Sequence, residues 1–150
     1  MGDGGCIREI CIIDKSADEN LVNDAVLNND SEISYPLVAN DDIHWELYAF
    51  FNAGVGGIQC AMSGPAAPTA LHYSVNLDIA GANKVTSNVA VAWDTVALNA
   101  AASSGAIRIV GLVHNAANVG NLVFRWAQNA ANPANTTIYQ GSYLRIWRVV

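Results

Sequence analysis

A chain of 150 residues with 52% hydrophobic and only 13% charged side chains is long enough to bury one sizeable core, and too poor in Glu, Lys and Arg to be a helical bundle. Its formal net charge of -6, from 13 acidic and 7 basic residues, repels a polyanion and excludes nucleic acid as an expected partner. The opening MGDGGCIREICIID has no basic stretch ahead of a long apolar core, and its apolar run is far too short to cross a bilayer; no secretory signal and no membrane partner are expected, and synthesis in the cytosol is.

Residues 6–13, CIREICII, read as the first strand, with Cys6 and Cys11 as small apolar groups rather than reactive thiols. With Cys60 they make 3 cysteines and no CxxC pair, so no disulfide framework is expected. Residues 14–32, DKSADENLVNDAVLNNDSE, are polar and acidic with few apolar anchors. Such a segment, when ordered, is held either by a neighbouring subunit or as an edge strand of its own domain. The chain is therefore divided into an N-terminal arm or edge strand over 1–32 that contacts neighbouring subunits, with Cys6, Ile7, Arg8, Ile10 and Ile12 as its candidate contacts, and a single β-sandwich domain over 33–150.

A strand over 33–38 follows. Asp41 and Asp42 are expected to close the next turn through their side chains; with Asp30 and Glu32 they match no calcium-loop spacing. Residues 43–51 alternate strictly, with Ile43, Trp45, Leu47, Ala49 and Phe51 on one face and His44, Glu46, Tyr48 and Phe50 on the other, which marks a central strand. Gly54, Gly56 and Gly57 read as a hairpin turn, since neither Lys-Ser/Thr nor GxGxxG follows them. Further strands are expected over 57–62, 70–79, 106–114, 119–127 and 142–149, separated by Asn-, Gly- and Pro-rich loops. The Ala-rich stretch 89–104 fits either a short helix or a connection over the sandwich. Many short strands without intervening helices give the expected fold: all-β, an antiparallel jelly-roll-like sandwich with an extended N-terminal arm.

Nothing in the chain advertises catalysis, and an enzyme is not expected. His44, His72 and His114 lie far apart, without HxH or HExxH spacing, so no metal site and no cofactor are expected, although one histidine per subunit can still meet at a threefold axis. The aromatic residues Trp45, Trp93, Trp126, Trp147, Tyr35, Tyr48, Tyr73, Tyr139 and Tyr143 are expected mostly in the core, with some left for an interface or a sugar-binding face.

The last strand alternates Tyr143, Arg145, Trp147 and Val149 against Leu144, Ile146, Arg148 and Val150. Arginines beside rings are suited to a subunit interface, because guanidinium groups stack on aromatics and pair with carboxylates. Carboxylates are concentrated early: of 13 acidic residues only Asp78 and Asp94 follow position 50, while of 7 basic ones only Arg8 and Lys15 precede it. Trp126, Gln128, Asn129, Tyr143, Arg145 and Trp147 are the candidate subunit-interface residues.

The stretches SEISYPLVANDDIHWELYAFF and LVFRWAQNAANPANTTIYQGSYLRIWRVV together resemble a family of small structural proteins of tailed bacteriophages. Pro36, Ala39, Asn40, Trp126, Ala127, Gln128, Asn129, Thr136, Thr137, Gly141, Ser142, Leu144 and Arg148 carry the resemblance; CIREICIID departs from it. The resemblance implies a jelly-roll-like virion protein, a homotrimer on the outside of the particle. Its expected role is a capsid decoration (cement) protein that binds the major capsid protein on the outer surface of the head and stabilises the shell. The alternative is a receptor- or glycan-binding domain of a tail fibre or baseplate, disfavoured because no heptad run appears.

Overall fold

The computed structural model describes residues 7–80, 82–99 and 101–149, and of residues 7–9, 82–89 and 98–99 the backbone alone. The chain forms twelve strands and, among the described residues, no helix: β1 (Ile7–Asp14), β2 (Glu19–Leu21), β3 (Asn28–Leu37), β4 (Asp42–Ala53), β5 (Ile58–Ser63), β6 (Ala70–Ile79), β7 (Ala82–Ala90), β8 (Ala97–Asn99), β9 (Ser103–His114), β10 (Gly120–Ala127), β11 (Thr136–Ile138) and β12 (Tyr143–Val149). An 8-stranded sheet runs β1-β12-β4-β9-β6-β7, with β11 also beside β4 and β2 beside β11; a 4-stranded sheet runs β3-β10-β5-β8. Every pairing is antiparallel. The fold is an all-β, jelly-roll-like sandwich.

Alternation builds the core. Ile43, Trp45, Leu47, Ala49 and Phe51 of β4 all point inward, as do Leu144 and Ile146 of β12, Ile107, Ile109 and Val113 of β9, and Leu71, Tyr73, Val75 and Leu77 of β6. The small sheet answers with Ile33, Leu37, Leu122, Phe124, Trp126, Ile58, Cys60 and Met62 in the same cluster. Gly111 is an inward position of β9 that must lack a side chain. A Cβ there would stand 2.4 Å from the Trp45 ring and 2.6 Å from Tyr73 Cβ, closer than packed atoms approach. The space it leaves holds a ring cluster, with Trp45 6.1 Å from Trp93 and 6.3 Å from Tyr73 between centroids.

One open alternative is decided here and two expectations are corrected. Among its described residues the stretch 89–104 contains no helix; it is the end of β7, a turn, β8 and the start of β9. Gly54, Gly56 and Gly57 do not make a hairpin, because β4 and β5 belong to different sheets; the turn carries the chain from one layer to the other. The sandwich does not begin at residue 33. β1 is an edge strand of the large sheet, paired with β12 from Ile7↔Val149 to Asp14↔Tyr143, and β3 is an edge strand of the small one. The acidic segment is therefore built into its own domain rather than extended away from it.

What pins that segment is Lys15, only 2% exposed. Its Nζ lies 2.7 Å from Glu19 Oε2, 3.0 Å from Asp30 Oδ1 and 3.8 Å from Glu32 Oε1. Asp30 Oδ1 also accepts the backbone N–H groups of Glu32 and Ile33, and Trp126 Nε1 donates to Asp30 Oδ2 at 3.3 Å. Desolvation lowers the Lys15 pKa, yet the hydrogen bonds and charges of Glu19 and Asp30 outweigh it and hold the ammonium above its ordinary range. Burial acts to raise the Glu19 pKa, and is outweighed by Lys15 and Ser31, which hold its carboxyl below its ordinary range.

A candidate interaction surface on the outer face of the large sheet

Residues opposite each other in an antiparallel pair share a face, so the register lays out the outer surface directly. One row reads Ile10, Trp147, His44, Leu112 and His72 across β1, β12, β4, β9 and β6. The next reads Ile12, Arg145, Glu46, Val110 and Ser74, and a third Asp14, Tyr143, Tyr48, Arg108 and Asn76. Among the described residues neither sheet nor loop covers this face, and its apolar members are unusually open: Ile10 63%, Ile12 51%, Phe50 42% and Val110 37% exposed. Soluble domains rarely leave such side chains contiguous unless a partner covers them.

The centre of the charged chemistry is Arg145. Its guanidinium carbon lies 5.6 Å from the Tyr143 ring centroid and 5.8 Å from that of Trp147, so one cation is held between two rings on alternate positions of β12. Tyr143 in turn stacks on Tyr48 at 5.9 Å. Glu46, the carboxylate facing Arg145 across the strands, is taken by Arg108, whose Nε donates to Glu46 Oε1 at 2.8 Å. Among the described residues no carboxylate pairs with Arg145, and its Nε has no hydrogen-bond partner. Arg, Trp and Tyr are the residue types that dominate binding energy at protein interfaces. Beside them lies a shallow depression of about 320 Å³ lined by His44, His72, Ser74, Val110 and Leu112.

The structure divides the expected site residues. Tyr143, Arg145 and Trp147 come together on this face with Ile10 and Ile12. Trp126 and Gln128 do not: both are fully buried within the chain's own fold; Trp126 lies on β10, in the other sheet, and Gln128 directly follows that strand. These two are corrected from interface to interior; Asn129, two residues past the end of β10, is half-buried. Cys6 lies outside the described residues, and the side chains of Ile7 and Arg8 lie outside them too. Cys11 and Cys60 are free thiols; burial pushes the Cys60 pKa up to about 12.

Gln128 has an internal task that its sequence position conceals. Its Oε1 accepts the backbone N–H of Asp24 at 3.2 Å and of Asn132 at 2.9 Å, and its Nε2 donates to the Ala134 carbonyl at 2.7 Å. It thus ties the loop after β2 to the loop after β10. Other residues that carry the resemblance act the same way. The Thr136 hydroxyl donates to the Gly57 carbonyl. Gly141 adopts φ 80°, a left-handed turn conformation open to glycine. The Ser142 hydroxyl donates to the Tyr139 carbonyl and accepts Phe50 N–H. Gln128→Ala is expected to cost about 1–3 kcal/mol for each buried backbone group it leaves unpaired, read as a lower urea midpoint and faster proteolysis at the two loops.

As expected, Asp41 closes a turn, its Oδ2 accepting Val38 N–H at 2.8 Å, and it also pairs with Arg148 Nε at 3.2 Å. His114 Nδ1 lies 2.9 Å from Asp42 Oδ1. Among the described residues no three His, Cys, Asp or Glu side chains gather as a metal site would require.

No protein-family model and no curated protein matches the chain. Among solved structures it is similar to that of the infectious bursal disease virus Gt strain, at 12% identity and a TM-score of 0.25, over 95% of this chain and 42% of that one. It is also similar to that of the Gx strain of the same virus, at 9% identity and a TM-score of 0.19, over 94% of this chain and 39% of that one. The chain spans about two-fifths of the length of these structures.

Proposed function

We propose that this chain is a non-enzymatic virion structural protein that decorates the outer surface of a tailed-phage head, binds the major capsid protein and stabilises the shell. The observation that carries the reading is the open outer face of the large sheet, centred on Arg145 between Tyr143 and Trp147. A cation stacked on two rings, with no carboxylate of its own among the described residues, fits a protein surface that offers one. The resemblance of the C-terminal motif to phage structural proteins supports the choice of shell over other protein partners. Cementing needs no bond chemistry, since a protein that binds only the assembled shell stabilises that shell by mass action.

The test uses heads stripped of the protein. Added back, the wild type is expected to co-sediment with heads, raise their resistance to heat, and appear as density spread over the shell in images of particles. The Arg145→Glu/Trp147→Ala variant is expected to keep its fold and bind at least about tenfold more weakly, as loss of a central anchor implies. Density confined to the tail end would overturn the reading in favour of a receptor-binding tail domain.

A further inference from the structure

We infer that the outer edge of β1 is a docking site for β1 of a second copy of this chain, joined antiparallel about a two-fold axis through Cys11. This concerns how copies meet one another and goes beyond the contact with the shell.

The first observation is that β1 is a long edge strand whose middle, Ile10–Ile13, carries none of the devices that natural sheets use to blunt one; its charged residues Arg8, Glu9 and Asp14 lie towards its ends. Edges are normally protected by lysine, proline, a bulge or a covering loop, because their free N–H and C=O groups template further pairing. β1 spans 8 residues, IREICIID, with neither lysine nor proline, and bonds to β12 on one side alone among the described residues. Its bulge lies between Ile7 and Glu9, away from the middle of the strand. The neighbouring edge strand β3 shows the contrast: it carries Pro36 and exposed Ser31 and has no large exposed aliphatic residue.

The second observation is self-complementarity. In a sheet continued through a two-fold axis, facing residues must lie on the same face and so have the same parity. A centre at Ile12 would set Ile10 against Asp14, and a centre at Ile10 would set Ile12 against Arg8. A centre at Cys11 alone sets Ile10 against Ile12 of the second copy, and does so twice. It also brings the position of Arg8 opposite that of Asp14. Ile10 and Ile12, 63% and 51% exposed, are then covered by each other, and aliphatic cross-strand pairs of this kind stabilise a sheet. The pairing makes the two large sheets one surface, with both Tyr143–Arg145–Trp147 ladders on the same side.

The resemblance to phage proteins implies a trimer, whereas this edge predicts two copies, so the experiment discriminates. Light scattering of the full chain at micromolar concentration should give the mass of two chains. Ile10→Lys/Ile12→Lys places lysine opposite lysine and should weaken association by about a hundredfold or more, with the circular dichroism and melting curve of the fold retained because both positions face solvent. In a Cys6→Ser background, diamide should link the two Cys11 thiols into a covalent dimer. The facing Cα separation of about 4.5–5.5 Å lies within the span of about 4.4–6.8 Å that a disulfide bridges, and Cys60 is too deeply buried to compete. A monomer or a trimer would overturn the inference, as would a dimer that survives the two lysines. A dimer that diamide leaves unlinked would overturn the Cys11-centred register.

Discussion

Lys15→Met is expected to remove about 3–5 kcal/mol of folding stability, the scale of loss when one partner of a buried ion pair is taken away. The cause is what stays behind: Asp30, 4% exposed, is left in the interior without the ammonium 3.0 Å away. Urea unfolding followed by tryptophan fluorescence measures it, and a loss under about 1 kcal/mol, the scale of an exposed pair, would show that the cluster is solvated in solution. The same cluster fixes the pH dependence. The Glu19 pKa is lowered from 4.5, so its contribution is complete above that value and disappears as pH falls through the folded one. The Lys15 pKa is raised from 10.5, so its contribution is complete below 10.5 and disappears as pH rises through the folded one. A plateau of melting temperature between these limits, falling on both sides, is the expected result, and Lys15→Met should flatten the alkaline fall.

Trp126→Ala is expected to cost about 3–5 kcal/mol, the usual loss for a fully buried aromatic residue replaced by alanine. Trp126 is 0% exposed and fills the core between β3 and β5 while its Nε1 donates to Asp30. Trp126→Phe keeps most of the volume and loses the donor, so it should cost distinctly less. Because Trp126 and Lys15 share Asp30, the double variant should depart from additivity by about 0.5 kcal/mol or more, as members of one network do. Additive losses would mean that Trp126 acts through packing alone.

Strict alternation made β4 legible, and the same signal located β6, β9, β10 and β12 within a few residues. It could not locate β2, β8 and β11, which are 3 residues each and too short to show a period. β7, ANKVTSNVA, has no apolar alternation, and its place is set by the neighbouring β6. The mistaken part of the site has an equally physical origin. Trp126–Gln128 and Tyr143–Trp147 are close in sequence and look like one surface, yet β10 and β12 lie in opposite sheets. A lone glutamine is usually solvated, whereas the partners that bury Gln128 lie as far as 104 positions away. The motif behind the resemblance is largely one of turns and loop ties. The half-buried stack at Arg145 belongs to the alternation of the last strand and is visible there.

The pairing of β1 with β12 has a consequence for biosynthesis. The strand made first finds its neighbour only when residues 143–149 have been made, and β2 waits likewise for 136–138. Sheets closed by such distant partners fold slowly, and until then a segment rich in isoleucine stands unpaired beside the ribosome. The acidic stretch that follows it supplies a net negative charge during that interval, a means of keeping nascent chains apart until the sheet can close.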